Sequence, residues 1–335
     1  MYRRSDIIAG KRGLMCHYLI PDLFDAEGCR VKDKDDCANS FRVDNFIRSV
    51  KHSCSEYIIF TMGQNTGIYN APNAVLEQRC GPGHFPERDL AGEIMEAAAE
   101  ADIPFIAYLP CEIKSNPALQ NGFPWNTTPG TDQSAFQTAY LEMIQYWAKR
   151  YGKYISGWWF DGCYEKEPFH NSRLRYSDWI NISRAGNHDA IVSFNNSSYL
   201  LNEEKTPFPD LDYFAGECLL IENGCPKMPW GGKVFTLDNS PFCPNTQVLR
   251  HLLLPIDAFW WHLADLPSWI GEAADHFRPS PDGISFEPLA FSKDELQDAV
   301  RTFCSIGAAA TFNVAILADG TLNPAAINTL AEIKK

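Results

Sequence analysis

The stretch Gly157-Trp158-Trp159-Phe160-Asp161-Gly162 decides how the rest of the chain is interpreted. Residues 156–160 form an aromatic, apolar run that is too short for a helix, so they predict a buried strand. The run ends at an Asp-Gly turn, which places the Asp161 carboxylate at the C-terminal end of the strand. An Asp-Gly pair taken alone more often caps the amides of a turn, whereas a carboxylate among aromatic rings also suits nucleophilic or acid/base chemistry.

Seven other short apolar runs predict further strands. They cover residues 13–19, 57–61, 104–109, 190–194, 211–215, 233–237 and 308–314. Helical or loop segments separate these runs, and no Pro/Ser-rich linker divides the 335 residues. The pattern predicts one α/β domain over residues 1–335, a (β/α)8 or TIM-like barrel that is distorted or incomplete where a connecting helix is weak or missing.

Several helices are also predicted from periodicity and capping residues. Apolar spacing predicts helices over residues 43–50 and 136–147, and Asp89 predicts the start of another. The capping box of Ser292 and Glu295 and the pair Asn323-Pro324 predict the last two. Residues 247–261 are predicted to be helical and then aromatic.

Polar residues stand at the C-terminal end of nearly every predicted strand. They are His17, Gln64, Asn65, Glu112, Asp161, Asn195, Glu217, Asp238 and Asn313. In a barrel of parallel strands these ends converge on one pocket. The sequence therefore predicts that Asp161 belongs to a site, and that it is more than a turn residue.

Charge and composition exclude several classes of partner. Lys and Arg total 29 against 42 Asp and Glu, so a net charge of −13 disfavours nucleic acid and anionic membrane surfaces. Aromatic residues at 13%, including nine Trp, favour a carbohydrate partner, because ring faces stack on sugars. The polar residues 1–11 lack a signal-peptide core, which predicts a cytoplasmic protein unless a leader was removed and the protein is secreted.

Other kinds of chemistry find little support in the motifs. The eleven Cys include no CxxC pair and no Cys/His cluster of zinc spacing, so we expect mostly buried free thiols and no metal. Pairing among the loop cysteines is the open alternative; these are Cys29, Cys37, Cys80, Cys225 and Cys243. The GxSxG elbow of serine hydrolases is absent. Two carboxylates at predicted strand ends, Asp161 and Glu217, are instead predicted to flank one glycosidic bond.

Five segments resemble family 29 of the glycoside hydrolases, the α-L-fucosidases, over roughly residues 13–323. Residues 13–18, Gly-Leu-Met-Cys-His-Tyr, resemble the family's Gly-Ile-Phe-Ile-His-Trp strand. Residues 56–61 and 87–93 resemble two further family segments. The most specific matches are residues 157–162 and the late Phe-Asn-Val and Ala-Asp-Gly-Thr segments within residues 312–321.

The resemblance implies a fold, an activity and roles for two residues. Family members are barrels that hydrolyse fucosides with retention, through a covalent glycosyl-enzyme and without a cofactor. By this resemblance Asp161 is the nucleophile and His17 binds the sugar. The family does not fix the acid/base. Glu217 is our first choice because it ends a predicted strand and follows Gly216, Glu222 is the second and Glu112 the third.

The chain departs from the family at two places. The usual Lys-His-His-Asp-Gly-Phe after strand two is here Met-Gly-Gln-Asn-Thr-Gly-Ile, residues 62–68, and the usual C-terminal β-sandwich has no counterpart. Gln64 and Asn65 can still hydrogen-bond to hydroxyls, so the preferred sugar or linkage can differ. Further predicted substrate contacts are Glu112, Trp159, Asn195, Trp230 and His262. A glycan-binding barrel without hydrolytic activity is the alternative function. A barrel lyase or isomerase acting on a sugar acid is a third, which the negative net charge disfavours.

Overall fold

The computed structural model describes residues 3–21, 23–128, 131–163, 174–195, 210–227, 237–244, 246–261, 265–278 and 286–335. The strands are β1 (Arg12–Cys16), β2 (Leu23–Phe24), β3 (Arg30–Val31), β4 (Ile58–Thr61), β5 (Phe105–Pro110), β6 (Gly157–Asp161), β7 (Ile191–Phe194), β8 (Leu220–Glu222), β9 (Cys225–Lys227), β10 (His251–Pro255) and β11 (Ala309–Asn313).

Seven of these strands form one parallel sheet in the order β10-β11-β1-β4-β5-β6-β7. All but the last residue of β6 in these strands are buried, as expected for a sheet that is covered on both faces. The sheet curls as in a TIM-like barrel. Among the described residues this half-barrel has seven continuous strands, so the predicted TIM-like α/β fold is confirmed, whereas an eight-stranded barrel is not.

The gap between β7 and β10 contains the segment predicted as strand six. Residues 211–217 pair with β10 and the residues just before it through two isolated parallel bridges, Tyr213 with Leu249 and Glu217 with Leu253, without forming a continuous strand. One backbone bond of 3.2 Å, from Asp212 N to Val192 O, joins the same segment to β7. Glu217 therefore lies at the same end of the sheet as Asp161. The predicted strand at residues 233–237 falls almost entirely outside the described residues.

The helical prediction for residues 247–261 was wrong. This segment contains β10, which pairs in parallel with β11 from His251 opposite Ala309 to Pro255 opposite Asn313. A run of three leucines between a histidine and a proline has no polar face, and periodicity cannot separate a fully buried strand from a helix in so short a run. Leucine's preference for helices is overridden here by burial between two layers.

The helices are α1 (Lys34–Ser40), α2 (Val43–His52), α3 (Ala74–Cys80), α4 (Leu90–Glu100), α5 (Pro117–Gln120), α6 (Ser134–Tyr151), α7 (Tyr176–Ser183), α8 (Lys293–Cys304) and α9 (Pro324–Glu332). Short 3-10 helices cover Arg4–Ile7, Gly152–Tyr154 and Ser268–Asp275. The predicted caps are confirmed: Asp89 caps α4, Ser292 and Glu295 form the capping box of α8, and Asn323 caps α9.

One hydrophobic core connects the sheet to the helices around it. The eleven cysteines are free thiols. The longest of the nine described α-helices is α6, with 18 residues. None of the described helices is both long and apolar enough to span a bilayer. The candidate site, described next, lies at the ends of the strands of this sheet.

Candidate active site

Asp161 is the last residue of β6, at the centre of the group of strand ends. Its backbone carbonyl accepts from the Cys111 amide at 2.7 Å, which ties it to the end of β5. The four residues before it are buried, whereas Asp161 is half-buried. The strand thus fixes the backbone while its carboxylate reaches the rim of the sheet.

Three neutral donors from three neighbouring segments hold the Asp161 carboxylate. Tyr108 OH on β5 donates to Oδ2 at 2.5 Å, and Gln64 Nε2 after β4 donates to the same oxygen at 3.2 Å. Asn195 Nδ2, just after β7, donates to Oδ1 at 2.9 Å. None of these three donors carries a charge, so each orients the carboxylate without neutralising it, which suits a nucleophile.

The position of Tyr108 follows from strand register. Tyr108 is directly opposite Trp159 in the parallel ladder, and the two rings stack with centroids 5.1 Å apart and an interplanar angle of 13°. Trp159 in turn donates its indole hydrogen to Ala215 O at 3.1 Å and is only 2% exposed. Trp159 therefore packs against the ring of Tyr108 and holds this hydrogen-bond donor in position.

Glu217 is joined to Asp161 through one amide group. Asn195 Nδ2 also donates to Glu217 Oε2. Since one nitrogen is within hydrogen-bond distance of both carboxylates, their facing oxygens are at most about 6 Å apart. Glu217 follows Gly216, whose φ of +74° lets this backbone pass close to His251.

His17 lies beside the same group and is 5% exposed. Its Nδ1 is 2.8 Å from Asn313 Oδ1, and Asn313 Nδ2 donates to Trp260 O at 2.8 Å. The second bond fixes the Asn313 amide, so Nδ1 carries the hydrogen and Nε2 is an acceptor. Burial lowers the pKa of His17 to about 4, which keeps the ring neutral near pH 7.

Aromatic rings surround His17. Its ring lies 5.2 Å from that of Tyr108 and 5.7 Å from those of Trp260 and Trp261. Trp260 and Trp261 come from the loop after β10, the strand that sequence reasoning missed. His17 thus lies edge-on to the ring of Tyr108, and the hydroxyl of Tyr108 is hydrogen-bonded to Asp161.

The other predicted residues are divided between the site and its surroundings. Glu112 is half-buried after β5, and its pKa is raised by burial and, to a lesser extent, by the charge of Asp161. Asn65 is exposed. Glu222 is exposed on the β8–β9 hairpin, 3.8 Å from Lys227 Nζ. Trp230 and His262 lie outside the described residues.

Tyr108 is the contact that sequence reasoning did not single out. It sits inside an apolar strand, two residues before the strand's end, where its hydroxyl looks like that of any core tyrosine. Its opposition to Trp159 depends on the register between β5 and β6. The signal that could have found it is a tyrosine or tryptophan, an aromatic residue with a polar group, placed two residues before the end of a predicted strand.

Among the described residues, no three His, Cys, Asp or Glu side chains are grouped as a metal site requires.

Comparison with known proteins gives a fold and no sequence family. No family model and no curated protein matches the sequence. An endo-fucoidan hydrolase of glycoside hydrolase family 107 matches the structure with a TM-score of 0.67 at 16% identity, over 98% of this chain and 52% of its own. The family 107 endo-fucoidan hydrolase P5AFcnA matches with a TM-score of 0.64 at 15% identity, over 98% and 92%. A Ruminococcus gnavus family 29 fucosidase in complex with fucose matches with a TM-score of 0.60 at 13% identity, over 98% and 65%.

The chain has the fold of these glycoside hydrolases. Both families are represented among the matches, so the fold does not single out family 29, which the sequence resemblance implied. The chain spans about half the length of the first of them, at 52%, and 62% of another family 107 chain. At these identities the likeness concerns the fold alone.

Proposed function

We propose that the protein is a retaining glycoside hydrolase of α-L-fucosidase type that cleaves a terminal α-L-fucosyl or related sugar. The observation that carries the proposal is the single Asn195 amide shared by Asp161 and Glu217. It brings the facing oxygens of the two carboxylates to within about 6 Å of each other, which favours the ~5–5.5 Å separation of retaining enzymes over the ~6.5–9.5 Å of inverting ones. The neighbours' names, endo-fucoidan hydrolase and fucosidase, favour fucose as the sugar.

The two carboxylates exchange roles over two steps. In the first, Asp161 attacks the anomeric carbon, the bond to the leaving oxygen breaks, and Glu217 delivers a proton to that oxygen. In the second, Glu217 removes a proton from water, the water attacks the same carbon, and the Asp161 carboxylate is released. The net change is the hydrolysis of one glycosidic bond, with no cofactor.

Sugar recognition is assigned to the residues around Asp161. His17 Nε2 is an acceptor for a sugar hydroxyl, because Nδ1 donates to Asn313. Gln64 already donates to Asp161 and can reach the same sugar through its carbonyl oxygen. Fucosidases of family 29 carry histidines at this place, so we expect a preference that differs from theirs in the neighbouring hydroxyls or the linkage.

Replacement of the nucleophile tests the proposal. Asp161→Ala is expected to reduce hydrolysis of 4-nitrophenyl α-L-fucoside by at least about 1,000-fold, because no covalent intermediate can form. Added azide should restore turnover and give the glycosyl azide of inverted configuration. Glu217→Ala with azide should give the azide of retained configuration instead, since the intermediate still forms.

Asp189→Ala is the matched control, because its carboxylate is 64% exposed on a surface loop. It should keep full activity. Wild-type turnover in Asp161→Ala would overturn the proposal. If no aryl glycoside is hydrolysed by the wild-type protein while sugars bind measurably, the alternative of a non-hydrolytic glycan-binding barrel replaces it.

A further inference from the structure

Asn195 is held rigidly by the strand that carries Asp161. The backbone N–H of Asn195 donates to Phe160 O at 2.7 Å, and its backbone carbonyl accepts from Cys163 N at 3.0 Å. Bonds to residues on either side of Asp161 therefore fix the backbone of Asn195. The residue is 1% exposed. A side chain this well placed does not have to be ordered by a substrate.

The Asn195 side chain connects the two carboxylates that the proposed function uses. A primary amide nitrogen carries two hydrogens, and here one is directed to Asp161 Oδ1 and the other to Glu217 Oε2. The carbonyl-type oxygen of a protonated carboxyl is the better acceptor, so the proton on Glu217 is placed on Oε1. Asn195 thereby determines which oxygen of Glu217 carries the proton to be delivered.

We propose that Asn195 is a positioning residue for both steps of the reaction rather than a contact for the substrate, an inference that rests on the proposed function. In the first step the negative charge leaves Asp161 as the ester forms, and the charge appears on Glu217 when its proton goes to the leaving oxygen. In the second step the charge returns to Asp161. A neutral donor that bonds both carboxylates stabilises the charge at either end and needs no rearrangement between steps.

The pH profile distinguishes this role from simple packing. Without Asn195, each carboxylate loses a donor that favours its charged form. Asn195→Ala should therefore move both limbs of the kcat/KM profile to higher pH and lower kcat about 100-fold, with little change in KM. Asn187→Ala is the matched control: its Nδ2 donates to Ile155 O at 2.9 Å, just before the other end of β6, so both limbs should stay in place.

A thermal melt and a second variant make the outcome decisive. A thermal melt verifies that Asn195→Ala is folded; Asn195→Asp, which keeps the shape but has no amide hydrogens, is the second variant and should lose at least as much activity. Wild-type limbs and kcat in either folded variant overturn the positioning role. A raised KM with unchanged kcat and limbs also overturns it, because Asn195 would then bind substrate. Failure of the proposed function is seen separately, as full activity in Asp161→Ala.

Discussion

The Tyr108 hydroxyl bonds Asp161 Oδ2 at 2.5 Å while its ring is stacked on Trp159. Tyr108→Phe removes the hydroxyl and keeps the stack. A hydrogen bond to a charged group contributes about 1.5–3 kcal/mol, so kcat/KM should fall about 10- to 100-fold, chiefly through kcat. Steady-state kinetics on an aryl fucoside, together with a thermal melt, measure the effect.

Tyr57→Phe provides the comparison for Tyr108→Phe. Tyr57 is equally buried, and its hydroxyl lies 2.7 Å from Thr311 Oγ1 in the core, away from Asp161. This variant should lose stability without losing activity. Equal activity in the two variants would mean that the Tyr108 hydroxyl does not orient the carboxylate.

At the scale of residues, the sequence predicts which residues belong to the site better than it predicts the contacts between them. Asp161 could be found because an Asp-Gly pair ends an aromatic strand, and Asn195 and Glu217 because they follow short apolar runs. The bond of Asn195 to both carboxylates could not be predicted, because it depends on the distance between β7 and a segment that joins the sheet only through isolated bridges. The predicted contact of Asn195 with substrate is the alternative to its positioning role, and the KM of Asn195→Ala distinguishes the two.

At the scale of elements, Gly216 decides where Glu217 lies. A Cβ at Gly216 would stand 2.1 Å from His251 O, a backbone atom of β10, and φ there is +74°. Gly216→Ala should therefore force this segment away from β10. We expect a loss of about 3 kcal/mol or more in the free energy of unfolding and a large loss of kcat, measured by urea titration and kinetics.

Gly10→Ala separates backbone strain from the clash. Gly10 has a similar φ of +67°, but a Cβ there would meet its nearest atoms at an ordinary 3.7 Å. Only the conformational cost of about 1–2 kcal/mol should appear, with activity unchanged. Equal destabilisation in both variants would show that the close approach to β10 is not needed.

The strands were predictable to the extent that their ends are marked by polar or turn residues. Six of the eight predicted runs contain a strand of the sheet, whereas β10 was missed because it is apolar on both faces and rich in leucine. The segment at residues 211–217 has the composition of a strand yet makes only isolated bridges, since pairing depends on its neighbours. Local pattern thus located most of the sheet, and tertiary packing determined the rest.

At the scale of the whole molecule, buried histidines couple stability to pH. His251 Nδ1 lies 2.9 Å from Ala215 O and Nε2 lies 2.7 Å from Thr311 Oγ1, so the neutral ring is bonded on both sides. Burial lowers the pKa of His251 to about 4, as it does for His17. The unfolded chain takes up these protons below about pH 6.5, whereas the folded chain does so only near pH 4. Stability is therefore lost as pH falls between these values.

Asp257 acts in the opposite direction. Burial raises its pKa to about 7, so the folded protein binds this proton below pH 7 and gains stability as pH falls towards 4. Two histidines lose stability in acid and one aspartate gains it, so these three groups together predict a net loss of stability as the pH falls. A variant of one residue is needed to separate their contributions. His251 is suited to it because it lies away from Asp161 in the described contacts.

His251→Gln should flatten the acid loss. Glutamine can donate to Ala215 O and accept from Thr311, but it does not titrate. Between pH 7 and pH 4.5 the wild-type free energy of unfolding should fall about 2–3 kcal/mol further than that of the variant, measured by urea titration at both pH values. His188→Gln, at a histidine whose side chain is 85% exposed, should follow the wild type. An equal fall in wild type and His251→Gln would mean that the buried ring is not what the protein loses in acid, and the remaining candidate among these groups would be His17, inside the site.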